Sequence, residues 1–193
     1  MLGIINFKRY IFFSILAIIA GTAVLGVMLM RKANSPVGSQ PGEFQHRIHL
    51  NSGQTTVVHL YFSDKENDFL IAEERTLEHP DNPAFFARNI VEALIKGPQQ
   101  GLVRTIPEET AIRAIYVTQD GICYVDLTAG IVDHHPDGIK SELFTVYSIA
   151  NSLVLNVPEI EAVKILVNGN ESATLAGHID LQVPVKANML LIR

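Results

Sequence analysis

Between Ile11 and Met30 the chain reads IFFSILAIIAGTAVLGVMLM, twenty consecutive positions without a charged side chain. At about 1.5 Å per residue, a helix of that length spans a hydrocarbon core of about 30 Å. Lys8 and Arg9 precede the run, and Arg31 and Lys32 follow it. A cleavable signal peptide has a shorter apolar core, about 7–15 residues, and a small-x-small cleavage site. Residues 1–32 therefore read as an uncleaved, single-pass anchor. The basic pairs balance across the span, so the positive-inside rule decides little. With ten residues ahead of the span, the expected arrangement in the cytoplasmic membrane is amino terminus on the cytoplasmic side and domain on the extracytoplasmic side.

Setting the anchor apart changes the electrostatics. Its four basic and no acidic residues leave 11 Lys and Arg against 20 Asp and Glu, a formal charge of −9. A domain this acidic is a poor partner for nucleic acid or for anionic lipid headgroups. Cys123 is the single cysteine, which excludes an intramolecular disulfide and gives no thiol near the amino terminus for lipid attachment.

Residues 33–54 are rich in Ser, Gly, Pro, Asn and Gln and read as a flexible tether. The folded domain is expected over 55–185, with 186–193 as a carboxy-terminal tail. Thr55–Phe62 alternates at Val58, Leu60 and Phe62 and predicts a strand, as does Phe69–Thr76. Asn82 as cap, Pro83 at the first helical position and Lys96-Gly97-Pro98 as a stop bracket a helix. Its apolar stripe is Phe86, Ile90, Val91, Leu94 and Ile95. Ala111–Thr118 and Ile122–Leu127 flank Asp120-Gly121, a hairpin signal. A second helix fits Gly138–Leu155 with Asp137 as cap. Ala162–Val167 predicts a strand turned by Asn168-Gly169-Asn170, and Thr174–Val183 a last extended stretch. The order ββαββαββ predicts an α+β, two-layer sandwich: one mixed sheet of five or six strands with two helices on one face. The other face is then open to water or to a partner.

Candidate chemistry is sparse. His178 and Asp180, two apart on an expected strand, would share a face, but no nucleophile stands in a recognisable setting. Cys123 lies in a strand between Ile122 and Tyr124, where cysteines are inert packing residues. His134 and His135 are adjacent and would point apart, and no His-x-x-x-His or Cys-x-x-Cys spacing completes a metal site. Asp64, Glu73, Glu74, Asp126 and Asp180 are carboxylates that glycoside hydrolysis would need in pairs about 5–9.5 Å apart. Glu73-Glu74-Arg75 reads as a solvated strand face, and Asp126 as the finish of a hairpin strand. Gly97-Pro98-Gln99-Gln100-Gly101 lacks the lysine and the strand-to-helix order of a phosphate loop. The residues point to no metal and no cofactor.

Several pieces nevertheless fall in a recognisable order. Leu60-Tyr61-Phe62-Ser63-Asp64, Glu73-Glu74-Arg75-Thr76, Glu92–Pro98, Gly101-Leu102, Ile106-Pro107-Glu108, Tyr124-Val125-Asp126-Leu127, Ile165–Gly169 and Leu175–Leu181 resemble the GerMN domain family over about 58–185. The resemblance implies a membrane-tethered, extracytoplasmic domain of the bacterial envelope, linked to sporulation, germination and the cell wall. It implies a fold similar to the ring-building motifs of envelope-spanning assemblies, and it carries over no catalytic residues. Two such domains and a lipid-attached cysteine are common in the family, whereas one domain and a transmembrane anchor are expected here. The expected function is an interaction domain that binds an envelope protein or peptidoglycan, with homo-oligomerisation compatible with that role. Asp126, His178 and Asp180 are its candidate binding residues. The alternative is a peptidoglycan hydrolase or an accessory domain to one.

Overall fold

The computed structural model describes residues 53–193. The expected anchor, at 11–30, and most of the tether lie outside them. No helix among the described residues is long and apolar enough to cross a membrane.

Strands β1 (Thr55–Ser63) and β2 (Leu70–Glu78) pair antiparallel. Asp64 closes their turn by accepting from the amides of Asp68 and Phe69, at 2.7 and 3.2 Å. Helix α1 (Pro83–Lys96) starts at Asn82, whose side chain accepts from the amides of Ala84 and Phe85. It ends at Gly97, whose φ of +89° suits the residue that leaves a helix. Arg104 reaches back to donate to the freed carbonyls of Ile95 and Lys96.

Strands β3 (Ile112–Val117) and β4 (Ile122–Leu127) form the expected hairpin, with Gly121 at φ +79°. A short helix α2 (Gly130–Asp133) follows, then α3 (Ile139–Val154), which carries the chain across to β5 (Ala162–Val167) parallel to β4. Asn168 and Gly169, both at positive φ, turn β5 into the two-residue β6 (Asn170–Glu171). That is the geometry a two-residue hairpin loop demands. A single helical turn, Met189–Leu191, lies near the carboxy terminus.

The α+β class and the helices on one face of a sheet stand, but the sheet is divided. β1 and β2 form a two-stranded sheet, and β3-β4-β5-β6 a four-stranded one. The expectation of one sheet of five or six strands fails because the outer edge of β1 is taken by side chains. Asn156 accepts from the amide of His59 at 2.9 Å and donates to its carbonyl at 2.8 Å, and Ser152 accepts from the amide of Tyr61 at 3.0 Å. Val103 exchanges two backbone bonds with Ser63. The outer edge of β1 is thereby closed to a further strand.

Helix α1 packs on β3 and β1, and α3 on β1 and β5. One apolar core joins Leu60, Phe62, Ile90, Val91, Val125, Ile149, Leu153 and Ile165. The cap of α3 is Gly138 at φ +111°, with no side-chain bond, so Asp137 stands one residue too early for the role expected of it. At Gly130 the packing is tight against the Glu109 carbonyl, where an added Cβ would collide with backbone. Gly130→Ala is expected to cost about 1–3 kcal/mol, read as a lowered denaturation midpoint with an unchanged slope.

Candidate functional site

Helix α3 carries an unusual load for a buried helix. Glu142, Thr145, Ser148, Asn151 and Ser152 are all fully buried. Spacings of three and four place most of them along a common side of the helix. Each is satisfied by backbone or side chains remote in sequence. Thr145 donates to the Thr105 carbonyl, Ser148 accepts from Thr105, and Asn151 holds both the amide and the carbonyl of Asn188.

Glu142 is the strongest of these anchors. Its carboxylate accepts from the amides of Leu175 at 2.8 Å and His178 at 2.7 Å, and lies 3.0 Å from Nδ1 of the His178 ring. Burial pushes its pKa up, but bonds from the amides of Ala176, His178, Leu175 and Ile179 outweigh that and hold it below the usual glutamate value. This carboxylate also explains why Thr174–Val183 is not the expected strand. Alternate amides of a strand point to opposite sides, whereas here neighbouring amides converge on one anion, with Gly177 at φ +95° allowing the bend. His178 and Asp180 are therefore not brought together. His178 faces Glu142, and Asp180 accepts from the amide of Gln182 at 2.8 Å in its own turn.

The same logic repeats on the other elements. Asp126 accepts from the Gly169 amide at 2.7 Å and from Nε of Arg113 at 3.1 Å, and so fixes the β5–β6 turn. Lys164 donates to the carbonyls of Leu181 and Gln182 and pairs with Glu171 at 3.2 Å. Glu73, expected on a solvated face, is buried. It accepts from the amides of Gln99 and Gln100 and from Arg75, which in turn donates to the Gly97 carbonyl. Burial raises its pKa, and the Gln99 amide, Arg75 and the Gln100 amide more than offset this, so it too is lowered. A signal was there: Glu73 faces Leu60 in register, and so lies on the apolar side of the hairpin with Val58 and Phe62.

Asp126, His178 and Asp180 line none of three surface clefts of about 230–470 Å³, the largest of which lies beside the β3–β4 turn. His135 lies against the Pro136 carbonyl and the Thr145 hydroxyl, as a loop residue leading into α3. Among the described residues no three His, Cys, Asp or Glu side chains converge as metal ligands. Cys123 is buried, and its thiol is pushed up to about 12. On the outer face of the four-stranded sheet Tyr116, 64% exposed, stands opposite Tyr124 in register.

A family profile described as Germane, sporulation and spore germination, matches residues 59–173. The chain belongs to the Germane family. The match runs from within β1 to just beyond β6, and so takes in all three hairpins and the buried carboxylates of Glu73, Asp126 and Glu142. The fold of the Germane domain is similar to two solved structures of the Bacillus subtilis sporulation protein GerM. Against its first GerMN domain the TM-score is 0.53 at 19% identity, covering 68% of this chain and 97% of that one. Against the tandem GerMN domains it is 0.55 at 19% identity, covering 68% of this chain and 46% of that one. The described domain thus spans about half of the tandem structure. A candidate lipoprotein from Clostridium perfringens is similar at TM-score 0.49 and 21% identity, over 71% of this chain and 89% of that one. No curated protein matches the sequence.

Proposed function

We propose that the chain is a non-catalytic interaction domain of the bacterial cell envelope, acting in sporulation or germination. In this reading residues 11–30 anchor it in the cytoplasmic membrane, and the domain stands on the extracytoplasmic side. It binds an envelope protein or peptidoglycan, and self-assembly is compatible with the role. The observation that carries the reading is how the buried charges are used. Glu73, Asp126, Glu142 and Lys164 each hold the backbone of a loop or turn. Bonded in this way, they are committed to structure rather than poised for proton transfer. The exposed Tyr116, beside Tyr124, offers the rigid, amphipathic contact area typical of binding surfaces.

The rival reading, a peptidoglycan hydrolase or an accessory domain, would use His178 with Asp180 or a pair of carboxylates; His178 instead faces Glu142, and Glu73 and Asp126 are already bonded to backbone amides. The two readings part on purified cell-wall sacculi. The chain is expected to release no soluble fragments above a boiled control, and any binding is expected to weaken when Tyr116 is changed to Ser. Fragment release would overturn the proposal and make Glu142 and His178 the first residues to test.

A further inference from the structure

The two-stranded sheet has an edge that the fold leaves open. The amides of His59, Tyr61 and Ser63 turn away from β2, since they bond to Asn156, Ser152 and Val103. In an antiparallel pair, a residue whose amide faces outward stands opposite one that does the same. Their register partners are Glu74, Ala72 and Leu70, and alternation adds Thr76 and Glu78. Two of these are occupied: the Leu70 carbonyl accepts from the Arg193 amide at 3.1 Å, and the Glu78 carbonyl from Asn89 at 3.0 Å. The outward amides and carbonyls of Ala72, Glu74 and Thr76 have no partner among the described residues.

We propose that this edge of β2, from Ala72 to Glu78, receives an extended basic strand from a partner protein. The edge is already competent to pair, because Ile192 lies beside Leu70 in a parallel bridge at its near end. Its chemistry selects the partner. Glu74, Thr76 and Glu78 are exposed along it. Arg75 is turned inward to Glu73, and the basic side chain within 4 Å of Glu74 among the described residues is the imidazole of His59, at 3.7 Å. Carboxylates four residues apart on a strand are about 13 Å apart, so a strand with lysine or arginine at alternate positions meets both. A second copy pairing on the same edge would set its own Glu74 and Glu78 against these, which like charges oppose. The same charges also protect a free edge from unselective pairing, and they admit a basic strand for the same reason. This surface lies on the other sheet from Tyr116, so either binding site can fail without the other.

The test uses the full chain in detergent with two short synthetic peptides, one alternating valine with lysine and one valine with glutamate. The lysine peptide is expected to bind and to slow hydrogen exchange at the amides of Ala72, Glu74 and Thr76, while the glutamate peptide does neither. Thr76→Pro removes one outward amide and spares the ladder to β1, a substitution edge strands tolerate. It should weaken binding about fivefold to tenfold, the equivalent of about one lost hydrogen bond. The exposed double change Glu74→Lys and Glu78→Lys should reverse the preference between peptides. The proposal is overturned if the lysine peptide fails to bind, if Thr76→Pro leaves its affinity unchanged, or if protection appears at other amides. It is also overturned if these three amides are protected without peptide, whether by the chain's own preceding segment or, in a concentration-dependent way, by a second copy.

Discussion

Glu142→Ala is expected to destabilise the domain by about 3–5 kcal/mol, since several backbone amides lose a charged acceptor at about 1 kcal/mol or more each. The substitution leaves the buried amide of Leu175 and the partly buried amides of Ala176, His178 and Ile179 without their acceptor. Against a total of about 5–15 kcal/mol for a domain of ordinary size, the loss is large enough to loosen the whole 172–185 segment. His178→Ala is the matched control. It keeps the backbone amide at position 178 and removes only a partly exposed ring, so it should cost about 1 kcal/mol. Denaturant midpoints of the two variants should therefore separate widely. A catalytic pair would lose activity equally from either change, whereas a scaffold loses stability mainly from the first.

The same carboxylate sets an acid limb. Its folded-state pKa lies below the ordinary 4.5. Its contribution is therefore fully present above that value and lost as the pH falls through the folded-state pKa. Glu142→Gln should be less stable at neutral pH and should lose less on acidification than the parent chain. Equal slopes in a stability-against-pH series would show that Glu142 is not the linked group.

What the sequence makes legible here is what is written locally. Asn82, Pro83 and Gly97 bracket α1, Asp120-Gly121 and Asn168-Gly169 turn two hairpins, and each signal acts within a few residues. The division into two sheets is not local. It follows from Ser152 and Asn156, which reach β1 from more than 90 positions away. In the sequence they read as ordinary polar residues near the end of a helix. Glu142 likewise passes for an acidic residue in a first helical turn, favourable to the helix dipole. Only its distance from Leu175 and His178 in the fold shows that it organises a loop. His178 and Asp180 mislead because a two-residue spacing means a shared face only on a strand, and Glu142 prevents a strand there.

Glu73 gives the second large effect, and its sign bears on function. Groups held ready for catalysis are commonly kept at a cost to stability, so removing them stabilises a protein. Glu73 is fully paired by the amides of Gln99 and Gln100 and by Arg75. Glu73→Ala is therefore expected to destabilise by about 3–5 kcal/mol, leaving Arg75 with an uncompensated charge that is largely buried. Changing Glu73 and Arg75 together to leucine and methionine should cost less than Glu73→Ala alone, because the stranded guanidinium is gone, although the loop amides remain unpaired. Its lowered pKa adds to the same acid limb: the stabilisation is present above the ordinary 4.5 and fades as the pH falls through the folded value. A stabilised Glu73→Ala domain would mark this carboxylate as strained in place for chemistry, and the reading of buried charge as loop scaffold would fail where it is most directly exposed to test.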